Sequence, residues 1–479
     1  MSKVKKIAVL SFGQGINILV NFLFLPYMAR VLDYESYGSY GQVLLITAFL
    51  AALLSFGLSQ IIYVYLNKTD EIKSVLSSNI FAAFLLGVFG VLFLVITSSF
   101  FASWLNNPSI GKLILVYSFS LLFTLPNQSI NSFLIFTNKV KLSAFLIVFT
   151  NLLKVLLVVY AIQVHQSVYL ALIGIVLSQL VQFIIGLYFV RKSIGYTVDK
   201  ALLLEQIKKG FPLGLTGILG AGILYVDGIM VSKLEGVQAF AIYRNGAIEV
   251  PFIATIYGSI ATIILPEVSK LFSEHKYKEI VELKRKVIMN TIMLTYPILI
   301  FLLFNSTELI TAYLGKKYEA SAIIFAVFNL TLLYRVNDYS DILIAANKSK
   351  YILYYYTITF FTNLILNYFF IHLWGSVGAA ISTVLSISLL AFLQTRKSLE
   401  IIACKIKQLI DLKNLFHMLI SSIFFAILLN WSLNSFFEKK IKLLLFAVIY
   451  FPIIYLYLIK FNLFSVELFK KLLPRKIIN

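Results

Sequence analysis

Long apolar segments alternate with short polar stretches along the whole chain. Each segment holds about 20 or more residues with few charges, which is the length that an α-helix needs to cross a bilayer. The segments lie near residues 7–30, 41–66, 74–100, 112–136, 142–163, 168–190, 211–232, 237–264, 287–311, 321–346, 351–372, 376–394, 414–434 and 441–461. Because the hydrocarbon core contains no water to satisfy the backbone, each segment is predicted to be a helix. The pattern therefore predicts about fourteen transmembrane helices.

The composition supports an all-α, polytopic membrane protein. Hydrophobic residues make up 60% of the 479 residues and charged residues only 13%, against about 25% charged in an average soluble domain. The single cysteine, Cys404, excludes a disulfide framework and a cysteine-rich metal site. The first apolar segment follows the basic residues Lys3, Lys5 and Lys6 and is too long for a signal peptide, so we expect a retained first helix.

Positive charge is distributed unevenly between alternate loops. The formal net charge is +20, and with a cytoplasmic N-terminus about 30 of the 41 Lys and Arg residues fall on the inner side. The outer loops hold about eight. This asymmetry is the positive-inside signal of membrane proteins. It predicts that both termini are cytoplasmic, and it explains the basic charge without a nucleic-acid partner.

Three longer inner loops, 191–210, 265–286 and 395–413, divide the predicted helices into groups. The division favours two six-helix halves joined by a linker and followed by a terminal helix pair with a basic cytoplasmic tail. The corresponding ranges are 1–190, 191–210, 211–395 and 396–479.

Two short motifs recur about 200 residues apart. Arg30–Tyr40, between the first and second predicted helices, resembles Lys233–Tyr243, between the seventh and eighth. Ser167–Ile173, at the start of the sixth helix, resembles Ser376–Ser382 at the start of the twelfth. Two repeated halves with a site between them are a common arrangement in transporters. The sequence therefore predicts two six-helix pseudo-repeats.

Ionisable residues within the predicted helices are candidates for a transport path. A charge at mid-bilayer costs about 2.5–3.5 kcal/mol on insertion scales, so such residues usually face a cavity or a partner. They are Lys154, Asp227, Arg244, Glu249, Arg335, Asp338 and Asp341. Since no acid lies within one helical turn of Lys154, this lysine needs an acid on another helix or an anionic substrate.

Sequence spacing leaves two interpretations for most of these charges. Arg335 and Asp338 are three residues apart, so on a helix they share a face and can pair, either as a structural lock or within the path. Arg244 and Glu249 are five apart and poorly placed to pair. Asp227 follows a glycine-rich run, which allows close helix packing. For Asp227, packing and ion coupling both stay open.

Short motifs in a fixed order resemble those of one known family. They are Pro26-Tyr-Met-Ala-Arg-Val-Leu32, Tyr37-Gly-Ser-Tyr40, Phe56-Gly-Leu58, Gly210-Phe-Pro212, Tyr225-Val-Asp-Gly-Ile-Met230, Tyr313-Leu-Gly-Lys-Lys-Tyr318 and Trp374-Gly-Ser-Val-Gly-Ala-Ala380. With these motifs the chain resembles the polysaccharide-exporter branch of the multidrug/oligosaccharidyl-lipid/polysaccharide (MOP) superfamily. Its members are the O-antigen and capsule repeat-unit flippases often called Wzx. The resemblance covers most of the chain.

The resemblance implies a MATE/MOP-like fold and a flippase in the bacterial plasma (inner) membrane. Such a protein moves a polyprenyl-diphosphate-linked oligosaccharide repeat unit from the cytoplasmic to the outer face by alternating access. The implied driving force is the membrane potential or a coupled proton or sodium ion. The implied protein is a monomer that contacts membrane lipids and works with a polysaccharide polymerase and chain-length machinery. Neither catalysis nor a cofactor is implied.

On this hypothesis the intramembrane polar residues have three roles. Cations along the path would stabilise the diphosphate, and they are Lys154, Arg244, Arg335 and Arg30. Acids would pair with them or carry the coupling ion, and they are Asp227, Glu249, Asp338 and Asp341. Asparagine side chains would line the polar cavity, and they are Asn17, Asn21 and Asn151.

Two other classes of protein stay open on the sequence alone. Asp33-Tyr-Glu35 resembles the acidic metal-binding pair of membrane glycosyltransferases and polymerases, although no predicted outer loop exceeds about 16 residues. A MATE-type drug or cation exporter usually has an acidic first-half cavity, whereas Lys154 is the one central charge of the first six predicted helices. The chain contains no G-x-x-x-x-G-K-[ST] and no H-E-x-x-H motif, which argues against bound nucleotide and zinc.

Overall fold

The computed structural model describes residues 3–55, 57–66, 72–195, 199–337, 339–434 and 439–464. In these ranges the chain forms α-helices, single turns of 3₁₀ helix and short connections, without a β-strand. The all-α architecture predicted from hydropathy is confirmed. The chain divides into two compact units, Met1–Ala241 and Ile242–Asn479.

The first unit contains eight helices and most of a ninth. They are α1 (Lys3–Val31), α2 (Tyr34–Leu54), α3 (Leu58–Leu66), α4 (Ile72–Trp104), α5 (Ile110–Ser118), α6 (Leu121–Phe136), α7 (Val140–His165), α8 (Val168–Val190) and α9 (Lys200–Gly246). Residues 202–209, which the sequence places in the first of the longer inner loops, are helical and continuous with the seventh predicted span.

The second unit begins within the last turns of α9. Its further helices are α10 (Pro251–Ser273), α11 (Tyr277–Phe304), α12 (Ser306–Leu314), α13 (Ser321–Asn329), α14 (Asp341–Ala345), α15 (Ser349–Ile401), α16 (Leu412–Asn434) and α17 (Lys439–Lys460). Helix α11 is the most buried of the long helices, and α10, α12, α13, α16 and α17 all pack against it. It is therefore the core of this unit.

Nine helices of the described chain are long and apolar enough to cross a membrane. A tenth span results if α5 and α6, which meet at a bend of 41°, are taken together. The predicted number of fourteen is not confirmed. Helix α15 extends over two predicted segments, which are separated only by the turn at Trp374–Gly375. Helix α9 extends over the seventh segment and, past the turn at Gly236, over the first part of the eighth.

Large apolar side chains cover much of the outer surface, and many polar side chains are buried, as expected of a protein dissolved in lipid. Ile96 and Trp431 are 79% and 75% exposed, whereas Asn79 and Asn363 are fully buried. In water such an extended apolar surface would drive aggregation. Together with the long apolar helices, this distribution identifies a multi-pass membrane protein.

Hydrogen bonds near both ends of α9 hold it against the other helices of the first unit. Asn79 donates to Gln206 Oε1 at 2.9 Å. Gln42 donates to Ser232 Oγ at 2.5 Å. All four side chains are buried, where a hydrogen bond that is lost leaves an unsatisfied polar group. These contacts explain why the seventh predicted span packs with the first six.

Two glycines of the sequence motifs allow the backbone of α9 to come close. A Cβ atom on Gly57 would lie 2.4 Å from the carbonyl oxygen of Gly210, and one on Gly38 would lie 2.5 Å from that of Val237. Gly57 also has φ of +67°, which side chains disfavour. The motifs around residues 38 and 57 are thus sites of helix packing.

The predicted repeat motifs lie at turns between helices. In the first unit, Asp33 precedes α2 and Gly236 interrupts α9, while Ser167 caps the start of α8 with its hydroxyl. In the second unit, Gly375 turns the chain within α15 with φ of +60°. The pseudo-repeat itself stays a prediction.

Candidate functional site

Four of the predicted path residues are in contact where α1 packs against α7 in the first unit. The ammonium group of Lys154 donates a hydrogen bond of 2.7 Å to Asn21 Oδ1. The Asn21 amide donates to the backbone carbonyl of Asn17 at 2.8 Å, and the Asn151 amide donates to the same carbonyl at 3.4 Å. We refer to Lys154, Asn17, Asn21 and Asn151 as the lysine cluster.

Helical spacing produces the lysine cluster. Asn17 and Asn21 are four residues apart in α1, and Asn151 and Lys154 are three apart in α7, so each pair lies on one helix face. Lys154 lies near the middle of the 26-residue α7, and its side chain is half-buried. The cluster is therefore deep within two of the predicted spans.

The positive charge of Lys154 has only neutral partners. None of the ion pairs in the described chain includes it. Its ammonium contacts the Asn21 oxygen and lies 6.0 Å from the centroid of the Phe24 ring. An amide oxygen and an aromatic face stabilise an ammonium less than a carboxylate does. The cluster consequently suits an anionic group.

Two other predicted path residues of the first unit, Arg30 and Asp227, are not part of the lysine cluster. Arg30 is exposed at the C-terminal end of α1, nine residues and about 14 Å of helix beyond Asn21. Asp227 lies in α9 and is 1% exposed. The structure thus brings Lys154 together with the asparagines and leaves Arg30 at the helix end.

An ion pair in the second unit joins two breaks in the helical backbone. Glu249 lies between the end of α9 and the start of α10, and Arg335 lies between α13 and α14. Arg335 Nη2 and Glu249 Oε2 are 3.2 Å apart, and both side chains are partly buried. Within the described chain, Glu249 Oε1 and Arg335 Nε have no hydrogen-bond partner. The pair is therefore only partly satisfied.

These breaks overturn the expected helical geometry of the eighth and tenth predicted spans. The backbone from Leu330 to Val336 is a 3₁₀ turn followed by irregular turns, so the helix face on which Arg335 was predicted to meet Asp338 does not exist. Arg335 pairs with Glu249 instead. Asp338 lies outside the described residues. Arg244 is half-buried in the last turn of α9.

Asp341 forms a buried ion pair that the sequence did not indicate. Lys284 Nζ in α11 lies 2.5 Å from Asp341 Oδ2 in α14, and their side chains are 3% and 1% exposed. The sequence places Lys284 in the inner loop 265–286, but α11 begins seven residues before it, at Tyr277. A second buried lysine, Lys442, pairs with Glu308 at 3.2 Å. Each lysine lies next to other basic residues in the sequence. Its charge therefore cannot be distinguished from the basic charge that is typical of a loop.

The acidic tripeptide at 33–35 has a structural role. Asp33 accepts hydrogen bonds from the Ser36 backbone N–H at 2.8 Å and from the Ser36 hydroxyl at 2.9 Å. These bonds cap α2 and hold the pKa of the Asp33 carboxyl below its usual value of 3.8. Elsewhere in the described ranges no group of three His, Cys, Asp or Glu residues is placed to hold a metal ion.

Named relatives of the chain belong to surface-polysaccharide systems or to membrane proteins of unstated activity. The capsular polysaccharide biosynthesis protein CapF of Staphylococcus aureus is 23% identical over 78% of this chain and 93% of its own length. A Shigella flexneri protein described as an O-antigen transporter is 23% identical over 83% and 98%. An uncharacterized membrane protein of Methanocaldococcus jannaschii is 26% identical over 78% and 80%.

Two solved structures, one of a flippase and one of a transporter, share this fold. Lipid II flippase MurJ in an inward closed conformation matches with a TM-score of 0.72 and 19% identity, over 95% of this chain and 100% of its own. An inward-facing MATE-family multidrug transporter of the MOP superfamily matches with a TM-score of 0.62 and 16% identity, over 83% and 98%. The family described as polysaccharide biosynthesis protein matches residues 3–272, more than half of the sequence. The chain therefore belongs to the polysaccharide biosynthesis protein family and has the fold of the MOP superfamily.

Proposed function

We propose that the protein is a flippase that moves a polyprenyl-diphosphate-linked oligosaccharide from the cytoplasmic to the outer face of the plasma membrane. Membership of the polysaccharide biosynthesis family and the flippase-like fold support export of a lipid-linked saccharide. The lysine cluster is the observation that carries the proposal, since it offers, between two predicted spans, a cation that has no acidic partner among the described residues. In this scheme the isoprenoid tail stays in lipid while the polar headgroup crosses by alternating access.

The diphosphate supplies the negative charge that Lys154 lacks. Its oxygens accept hydrogen bonds from the ammonium and from the asparagine amides, and charge-assisted bonds of this kind are about twice as strong as neutral ones. An inside-negative membrane potential favours outward movement of an anion by about 2.3 kcal/mol per charge per 100 mV. The potential therefore contributes to the driving force whether or not an ion is coupled.

A coupled proton or sodium ion needs an acid that is not fully committed to a structural pair. Asp341 is engaged by Lys284 in a buried contact, which suits a lock. Glu249 keeps one carboxylate oxygen without a hydrogen-bond partner in the described chain. We therefore propose Glu249, ahead of Asp227 and Asp341, as the acid that takes up a coupling proton.

Complementation in the native organism tests the proposal. The gene is deleted and replaced by wild type, Lys154→Ala, Lys154→Arg or Lys112→Ala, and lipid-linked oligosaccharide is quantified alongside surface polysaccharide. Lys154→Ala is expected to accumulate complete lipid-linked repeat units on the inner leaflet, and Lys154→Arg to retain export because it keeps the cation. Lys112 is an exposed lysine of the same unit and serves as the matched control.

Other outcomes separate the alternatives. Export that is unchanged in Lys154→Ala, at equal protein levels in the membrane, contradicts the anion contact. Loss of polymer in the deletion strain while single repeat units still reach the outer surface indicates a polymerase. Unchanged polysaccharide together with increased drug sensitivity in the deletion strain indicates a MATE-type exporter.

A further inference from the structure

A cavity of about 1010 Å³ lies within the second unit. It is bounded by α11, by turn residues between α13 and α14, by the C-terminal part of α15 and by the segment that leads into α16. This volume is at the upper end of the range for ligand pockets, about 300–1000 Å³. No residue of the lysine cluster lines it.

The wall of this cavity is mainly hydrocarbon. Its apolar side chains include Ile288, Ile292, Phe392, Leu399, Ile406 and Leu409. Tyr334 and Tyr339 line it from the break before α14, where the backbone is not helical. At membrane depth, irregular backbone occurs only where it is buried in protein or lines a cavity. The break in the tenth predicted span therefore helps to create this space.

The charged residues of the cavity wall carry a net positive charge. Arg396 and Lys405 line the cavity and are both exposed. The acid of the wall, Glu400, is paired with Lys397 at 2.7 Å. The ion pairs of the described residues include neither Arg396 nor Lys405. Two cations are thus available beside an apolar chamber.

The positive-inside pattern predicts that these cations face the cytoplasm. Arg396 and Lys405 belong to residues 395–413, which the sequence predicts to be a basic inner loop, although α15 continues through Ile401 in the structure. Anionic lipids give the cytoplasmic leaflet a negative surface, and basic pockets between transmembrane helices on that side bind lipid phosphates. Cations at an interface beside an apolar cavity match the two parts of a phospholipid.

We infer that this cavity is a binding site for an anionic membrane phospholipid, with acyl chain in the apolar chamber and phosphate between Arg396 and Lys405. A soluble anion would leave the apolar chamber without hydrocarbon. Binding would then lack the favourable free energy that comes from burying apolar surface. Among the described residues that line the cavity, the cations are Arg396 and Lys405, and both are exposed, so a phosphodiester headgroup bound to them would remain at the interface. The bound lipid would be a resident ligand, separate from the transported molecule.

Native mass spectrometry of the purified, delipidated protein tests this inference. The protein is titrated with phosphatidylglycerol or with phosphatidylcholine, and the affinity of the first bound lipid is measured. Arg396→Gln/Lys405→Gln is expected to weaken phosphatidylglycerol binding by about tenfold or more, since each cation near an anionic lipid contributes substantially. Lys407→Gln/Lys413→Gln removes the same charge from two exposed lysines of the same segment that do not line the cavity. It is expected to bind like wild type.

The single cysteine provides a second readout that needs no charge variant. Cys404 lines the cavity and is half-buried, so a bound lipid should shield it. Alkylation of Cys404 by a maleimide is expected to be several-fold slower with phosphatidylglycerol than with phosphatidylcholine. Because burial raises the pKa of this thiol, the rates are compared at about pH 8.

Two results would overturn the inference. One is equal affinity for the two lipids together with an equal rate of Cys404 alkylation. The other is displacement of phosphatidylglycerol by equimolar undecaprenyl diphosphate while alkylation of Cys404 stays slow. That result would assign the cavity to the transported lipid. Neither result depends on whether Lys154 is needed for export, so the two proposals fail independently.

Discussion

Charged side chains within the helices of this protein have partners of two kinds. Lys284 meets a carboxylate, that of Asp341, and both groups are almost completely buried. Within the described part of the chain, Lys154 meets an amide oxygen and an aromatic ring but no carboxylate. A lysine that already has an acid is satisfied in the resting protein, whereas a lysine without one is stabilised further when an anion arrives. The first arrangement suits structure, and the second suits transient binding.

The Lys284–Asp341 pair is predicted to be a structural lock. Asp341→Leu leaves a buried ammonium without its carboxylate and should lower the free energy of unfolding by about 3–5 kcal/mol. Lys284→Met/Asp341→Leu replaces the pair by apolar groups and should recover most of that loss. Thermal unfolding of the purified protein in detergent measures both variants.

The exposed pair Lys209–Glu205 is the control for this lock, and Lys209→Met should leave the transition unchanged. A double variant as unstable as the single one would contradict a simple ion pair. It would show instead that one of the two side chains has an essential contact of its own.

Asp33 is predicted to stabilise the start of α2 in a pH-dependent way. Asp33→Ala should cost about 1 kcal/mol because the cap is lost, whereas Asp33→Asn should retain most of it. The Ser36 N–H keeps the folded pKa of Asp33 below 3.8. The stabilisation is therefore complete above about pH 4 and is lost as the pH falls through the folded pKa.

Unfolding midpoints measured at a series of pH values from neutral downward check this prediction. Wild type should progressively lose its advantage over Asp33→Ala as the pH falls below about 4 through the folded pKa, while Asp33→Asn should keep its own. An advantage of wild type that persists unchanged under acid would argue against the carboxylate as the cap.

Among whole elements, hydropathy predicts the apolar segments well and their interruptions poorly. Each of the fourteen segments contains helix, because the lipid environment demands internal hydrogen bonding over a long apolar stretch, but the eighth and tenth segments are interrupted. The breaks at Glu249 and Arg335 are set by local dihedral angles, to which a hydropathy average is insensitive. The extended backbone of Val250 follows from the proline at 251, a signal that the sequence did contain.

The same distinction applies to the candidate site. The lysine cluster follows from spacings of three and four residues within regular helices, so its residues could be chosen from the sequence. The partner of Arg335 could not, because an ion pair between two breaks depends on how the chain leaves each helix. Lys284 was missed because α11 extends into a stretch whose basic charge is typical of a loop.

Close packing of α9 against the preceding helices is predicted to depend on Gly57. Gly57→Ala places a Cβ atom against the Gly210 carbonyl in a backbone conformation that side chains disfavour. The expected loss in free energy of unfolding is about 2–4 kcal/mol, read as a lower unfolding midpoint. Gly217→Ala is the control, since a Cβ there meets nothing within 4 Å and should slightly stabilise the helix.

At the scale of the whole molecule, both proposals depend on the membrane orientation that the charge pattern predicts. The basic loops are predicted to face the cytoplasm, where the lipid-linked oligosaccharide is proposed to enter and where anionic phospholipid would meet Arg396 and Lys405. A reversed orientation would place those cations at the outer face. The sidedness of two loops therefore tests several inferences together.

Cysteine labelling in oriented membrane vesicles measures that sidedness. Because Cys404 is the one cysteine of the chain, Cys404→Ser provides a background into which Lys407→Cys or Glu319→Cys is introduced at an exposed position. A membrane-impermeant maleimide should label the cysteine at 319 in right-side-out vesicles and the one at 407 only in inverted vesicles. The opposite result would reverse the topology, and it would require the phospholipid at Arg396 and Lys405 to come from the outer leaflet. Labelling of both positions from one side would instead show that an odd number of the predicted spans between residues 319 and 407 does not cross the membrane.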